Sequence, residues 1–180
     1  MSVRIIYFVH GTTTDNEAGR STGWAPGELS ELGIRQAKAL PAQVKERDFS
    51  PLFCSDLKRA VDSAELGFKG FYPIIPDERL REINYGDLTQ ADERLVDYAA
   101  HISEAFPHGE SLMDVAKRLK SFLDFLKTDY SGHFVAVLAH KAPQLALEVL
   151  INGKTWEQAL QEDWRNKKAW QPGWIYELPD

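Results

Sequence analysis

Residues 3–16 read "VRIIYFVHGTTTDN", an apolar run that stops abruptly at His10 and Gly11. From Val3 to Val9 the run is β-branched and aromatic, with no polar alternation after Arg4. That pattern is expected of a strand buried on both faces, as in a parallel sheet between helices. Residues 133–140, "HFVAVLAH", repeat the device and end on His140. In open α/β sheets ligands bind outside the carboxyl ends of the strands, so both histidines are delivered to that edge. A helix starting just beyond His140 would add free N–H groups and a positive dipole end that favour an anion. A lone histidine at a strand end is ordinarily a hydrogen-bonded structural group, and the pattern by itself leaves that reading open beside a functional one.

Working outward, Thr12–Glu28 is polar, with three glycines and Pro26, and reads as a long loop. A helix follows Ser30, its apolar positions Leu32, Ile34, Ala37 and Leu40 recurring at near-helical spacing, with Pro41 irregular. Pro51–Cys54 is a short strand candidate. The next helix is capped by Ser55 or Asp56, runs to about Leu66 and ends at Gly67. "YPIIP" is a further short strand. Ala91–Phe106 is expected to form one helix, with Leu95, Tyr98, Ala99 and Ile102 on one face. "GESLMDVAKRLKSFLDFLK" is the clearest amphipathic helix, and a helix near Pro143 follows the second apolar strand. A helix over Trp156–Lys167 and a strand near Trp174–Leu178 complete the chain. The alternation predicts an α/β fold, a three-layer α/β/α sandwich with a mostly parallel sheet.

Bulk properties narrow the classes. At 180 residues the chain suits one domain that buries about two thirds of its unfolded surface. No repeat, low-complexity stretch or Gly/Pro-rich linker divides it. The net charge of −6 argues against broad nucleic-acid binding, which needs a basic face. No run approaches the roughly 18–20 apolar residues of a membrane span, and no signal peptide is read at the N-terminus. A single cysteine, Cys54, excludes an internal disulfide and suits a reducing cytoplasm, the expected location. The G-x-S-x-G elbow of an α/β-hydrolase is absent, as are zinc-hydrolase spacings.

The remaining motifs stand in a familiar order. "HGTTTDNEAGRSTGW" (10–24), "LSELGIRQA" (29–37), "CSDLKRAVDSAE" (54–65), "LREINYG" (80–86), "PHGES" (107–111) and "VLAHKAPQLAL" (137–147) together resemble the histidine phosphatase superfamily, which includes phosphoglycerate mutases, broad-specificity phosphatases and α-ribazole phosphatases. The resemblance spans nearly the whole chain and implies a phosphoglycerate mutase-like fold. It implies that His10 attacks a phosphate monoester to form a phosphohistidine, that Glu82 protonates the leaving oxygen, and that His140 stabilises the transferring group. Arg59 would fork onto phosphate oxygens. Gly11, Asn16, Arg20 and Lys141, the last also through its N–H, complete the expected phosphate-binding set. A small phosphorylated substrate is implied, with no metal and no organic cofactor.

Two positions depart from the family pattern. The arginine that normally precedes the nucleophile is Val9 here, and the glycine after the second histidine is Lys141. Losing one positioned donor costs on the order of 10²–10³ in rate. The Lys141 ammonium would restore part of that charge as a point charge, without the bidentate fork of arginine. Thr12, Thr89 and Gln90 also replace acidic or glycine residues common in the family. The stretch from Gln90 to Pro107 is short beside the insertion of phosphoglycerate mutases and reads as a modest helical lid, 91–106. That favours hydrolysis, with phosphoryl transfer between substrates as the alternative and ligand binding without turnover as a third reading.

Overall fold

The computed structural model describes residues 1–180. Five strands, β1 (Val3–Val9), β2 (Leu52–Ser55), β3 (Ile74–Asp77), β4 (Phe134–Ala139) and β5 (Trp174–Leu178), form one sheet in the order β3-β2-β4-β1-β5. All pairings are parallel except β1 with β5. The apolar run that opens the chain is thus an interior strand.

Alternate residues of β1 feed two cores, as the two-residue period of a strand requires. Val3, Ile5 and Tyr7 pack towards α4 (Leu112–Asp129) and α5 (Lys141–Leu150). Ile6 and Phe8 pack towards α2 (Glu31–Gln43) and α3 (Lys58–Phe68). Helices therefore cover both sheet faces, giving the expected three-layer sandwich. No helix is long and apolar enough to cross a membrane.

Local chemistry sets the helix ends. Ser30 caps α2 by accepting the Gly33 N–H, and Ser111 forms a reciprocal capping box with Asp114 at the start of α4. The polar loop after β1 holds one short helix, α1 (Thr14–Glu17), closed by a capping box between Thr13 and Asn16. Pro41 is accommodated in the last turn of α2, and Leu32 on that helix is exposed.

Several expectations are corrected. Helix α3 begins at Lys58 after Leu57, not at a Ser55 or Asp56 cap, and runs through Gly67 to Phe68. Residues 91–106 are not a helix: they form a 3-10 turn, Glu93–Leu95, followed by irregular turns. Asp92 and Asp97 turn their carboxylates onto the N–H groups of Arg94, Ala99 and Ala100, diverting the backbone from helical pairing. Backbone bonds from Ser21 to Ala91, from Gln90 to Ser21 and from Glu93 to Gly19 then fasten the segment to the loop after β1. Leu95, expected on an apolar helix face, is 61% exposed. The helix over Trp156–Lys167 is split into α6 (Trp156–Gln161) and a 3-10 turn, Trp164–Lys167, that Asp163 caps.

Candidate active site

Register brings the two histidines together. Val9 pairs with Ala139, and the His10 N–H donates to the Ala139 carbonyl at 3.2 Å. Their rings lie 5.0 Å apart between centroids at 56°. Tyr7 locks the second strand end, its hydroxyl donating to the His140 carbonyl at 2.6 Å and accepting the His140 N–H at 3.0 Å.

The two imidazoles are prepared differently. His10 Nδ1 is 2.7 Å from the Gly11 carbonyl. A proton on that nitrogen leaves Nε2 with a free lone pair. Burial, reinforced by the Arg59 guanidinium, lowers the His10 pKa to about 3, so the ring is neutral at ordinary pH. The same causes hold His140 well below the usual imidazole value. His140 is 1% exposed, and neither ring nitrogen has a hydrogen-bond partner in the protein. A buried imidazole N–H left unmet costs about 1–3 kcal/mol, which a ligand oxygen would recover.

Both rings open on a cavity of about 620 Å³ that Asn16, Arg20, Arg59, Glu82 and Lys141 also line. Arg59 is buried, reaching the cavity from the first turn of α3. Its Nη2 donates to the Gly23 carbonyl at 2.9 Å and Nη1 to Ala25 at 3.4 Å. Gly23 has φ +54°, and a Cβ there would come within 2.9 Å of the Tyr85 ring, so the carbonyl that holds Arg59 depends on a glycine. Ser63, one turn along, donates to the Arg59 carbonyl and accepts the Gly11 N–H, coupling Arg59 to the strand end that carries His10.

Glu82 lines the same cavity. Its Oε1 accepts N–H groups of Ile83 and Ala142, and Oε2 accepts that of Lys141 at 3.2 Å. Oε2 therefore keeps more free capacity. The Glu82 backbone is clamped through its carbonyl by Trp24 Nε1 and by Arg118. Arg118 is itself paired with Glu110 and also donates to the Arg79 and Arg81 carbonyls. A residue of α4 thus sets a segment more than thirty positions upstream.

Four expected ligands are placed differently from the others. Gly11 is absent from the cavity wall. Its N–H is taken by Ser63, and a Cβ there would sit 2.4 Å from the Gly33 carbonyl, so its requirement for glycine comes from close packing on α2. The Lys141 N–H is taken by Glu82, while its ammonium lies over the Tyr98 ring at 4.5 Å and 3.5 Å from Asp163. Arg20 lines the cavity from an exposed position at its rim, with Arg94 nearby. Asn16 uses its carbonyl oxygen in the α1 cap, which leaves its NH₂ to the cavity.

Arg165 also lines the cavity, beside Trp164, although "RNKKAW" (165–170) reads in sequence as a solvated helix end with an aromatic anchor and no function. The local pattern Asp-x-Arg occurs at Asp77–Arg79, Asp92–Arg94 and Asp163–Arg165, each aspartate accepting the backbone N–H and the guanidinium of its arginine. Only the last two pairs place their arginines on the cavity wall, so the pattern alone does not single out Arg165. No group of three or more His, Cys, Asp or Glu side chains is arranged to hold a metal ion.

The profile of the histidine phosphatase superfamily (branch 1) matches residues 6–170, and the chain belongs to that family. It is 36% identical over 167 residues to a glucosyl-3-phosphoglycerate phosphatase of Mycolicibacterium vanbaalenii, covering 83% of this chain and 74% of the relative. It is 33% identical over 165 residues to a 2,3-bisphosphoglycerate-dependent phosphoglycerate mutase of Methylorubrum populi, covering 81% and 77%. A crystal structure of a putative alpha-ribazole-5'-P phosphatase from Escherichia coli superposes with a TM-score of 0.77 at 25% identity, covering 89% of this chain and 85% of that one. Relatives thus include both phosphatases and mutases, and the fold is phosphoglycerate mutase-like.

Proposed function

We propose that this protein is a phosphomonoesterase acting on a small phosphorylated metabolite through a phosphohistidine at His10. The observation that carries the reading is the neutral His10 imidazole, its Nδ1 held by the Gly11 carbonyl, in one cavity with Arg59, Glu82 and His140. Nε2 attacks phosphorus and the P–O ester bond breaks, its electron pair passing to the leaving oxygen, which takes a proton from Glu82. Water then attacks phosphorus and gives a proton back to Glu82. The P–N bond breaks, its pair returns to Nε2, and inorganic phosphate leaves. Arg59 and the unpaired His140 N–H offer donors to the charge on the transferring group.

Hydrolysis is favoured over phosphoryl transfer between substrates by the rim of the cavity. The segment over 91–106 is short and irregular, and Arg94 at the rim is highly solvent-exposed, so water has access. The 33% identity to a mutase supports the second reading.

The test is turnover of p-nitrophenyl phosphate across about pH 4 to 8, with and without EDTA, beside His10→Ala and Val9→Arg. EDTA-resistant turnover that disappears in His10→Ala is the expected result. Phosphate release absent in the wild type and gained in Val9→Arg marks a binding protein instead. Isomerisation of phosphoglycerate that depends on bisphosphoglycerate, with little phosphate released, marks a mutase.

A further inference from the structure

Accepting the phosphoryl-transfer reading of the cavity, the geometry points to Arg165 as the guanidinium that replaces the one missing at Val9. Val9 contributes only an aliphatic wall to the cavity, immediately before His10. Arg165 lines the same cavity from the far end of the chain, on the 3-10 turn between α6 and β5.

Its support is built rather than incidental. Asp163, its side chain 2% exposed, accepts Arg165 Nη1 at 2.9 Å and the Arg165 backbone N–H at 3.2 Å through the same oxygen. Gln144, buried on α5, accepts Arg165 Nη2 at 3.1 Å and Trp164 Nε1 at 3.0 Å. The Trp164 ring lies 4.3 Å from the guanidinium carbon and is itself stacked on Trp174 at 5.0 Å. Two N–H groups are thereby committed to fixing the fork, and the remaining donors of the guanidinium are available to a ligand. Arg165 is 24% exposed, enough to meet a ligand in the cavity without being free in solvent.

The other cations of the wall are less suited to the role. Arg59 approaches from α3 and is held by the Gly23 and Ala25 carbonyls. Arg20 and Arg94 are exposed at the rim, and Arg94 is paired with Asp92. Lys141 shares Asp163 with Arg165 but presents a single point of charge. The Arg165 charge also acts on the reacting groups, since it is among the causes that lower the pKa of both His10 and His140. A cation that disfavours a protonated histidine also favours an anion beside it.

The test compares wild type, Arg165→Met, Arg165→Lys and Val9→Arg/Arg165→Met in two readouts: kcat/KM on p-nitrophenyl phosphate, and inorganic phosphate binding followed by thermal shift. Arg165→Met is expected to lose about 10²–10³ in kcat/KM and to bind phosphate more weakly. The lysine variant should recover a minor part, and Val9→Arg should recover at least about tenfold in the Arg165→Met background. Since Arg165→Met leaves Asp163 buried, Asp163→Asn/Arg165→Met serves if the single variant does not fold. A folded variant lacking Arg165 that matches the wild type in both readouts overturns the assignment. Wild-type protein that binds phosphate in an Arg165-dependent way but releases none from p-nitrophenyl phosphate overturns the phosphatase reading and leaves the Arg165 assignment standing.

Discussion

Glu82 Oε1 accepts the Ala142 N–H at 3.0 Å, so a carboxyl group of the cavity is fastened to the first turn of α5, directly beyond His140. The carboxyl group and the second histidine are therefore positioned by the same turn. Replacing Glu82 by Gln keeps the size of the side chain and removes the transferable proton. We expect a loss of about 10²–10⁴ in kcat on alkyl phosphates and a clearly smaller loss on p-nitrophenyl phosphate, whose phenolate leaves without help. Equal losses on the two substrates would show that Glu82 does not protonate the leaving group.

Acid should destabilise the fold through its histidines. Burial, followed by Arg59, lowers His10 to about 3 and holds His140 low as well, while an unfolded imidazole titrates near about 6.5. Between those values the unfolded chain binds protons that the folded one refuses. Stability is therefore complete above about pH 6.5 and falls as pH drops towards 3, by up to about 1.4 kcal/mol per pH unit for each histidine. Denaturant unfolding between about pH 6.5 and pH 5 should show a shallower fall in His140→Asn than in the wild type. Parallel curves would contradict the assigned charge states.

Arg118 should matter for stability and for rate. It is half-buried, pairs with Glu110, and donates to the carbonyls of Arg79, Arg81 and Glu82. Arg118→Met leaves the Arg79 and Arg81 carbonyls without that donor, the Glu82 carbonyl with Trp24 Nε1 alone and the partly buried Glu110 carboxylate with the Asn84 N–H, at an expected cost of about 2–4 kcal/mol. Because Glu82 hangs from the same segment, kcat should fall while phosphate binding is largely kept. A variant as stable as the wild type in guanidinium chloride would refute the clamp.

Lys141 contributes charge to the cavity wall but is shared with Asp163 and lies over Tyr98. Lys141→Met should cost about three- to tenfold in kcat/KM, roughly 1 kcal/mol as for a partly screened pair. An unchanged rate removes Lys141 from the set that compensates for Val9.

The parts of this molecule that sequence reveals are those whose physics is local. β1 and β4 are buried on both faces, so they read as unbroken apolar runs, and the histidines stand out where those runs stop. The cap at Ser30 and the box at Ser111 are likewise short-range signals. Arg118 and Ser63 leave no such trace, because they act on main-chain groups of distant segments. Arg165 shares its local pattern with two other Asp-x-Arg pairs, and only the return of the chain to the edge of β1 carries it to the cavity. The 91–106 segment misleads in the opposite sense. Leu95, Tyr98, Ala99 and Ile102 have helical spacing, but aspartates that bond their own following N–H groups set the backbone instead.

The ladder between β1 and β4 has a further consequence. His10 is placed by a hydrogen bond that continues an interior strand pairing, the kind of backbone that exchanges its amides with solvent only when the whole molecule opens. The rim over 91–106 is held by turns and exposed pairs, and will open far more often. Limited proteolysis should therefore nick the rim while the two imidazoles remain aligned. Heat inactivation, by contrast, should track global unfolding, making the chemistry proposed for His10 a gauge of whether the entire sheet is intact.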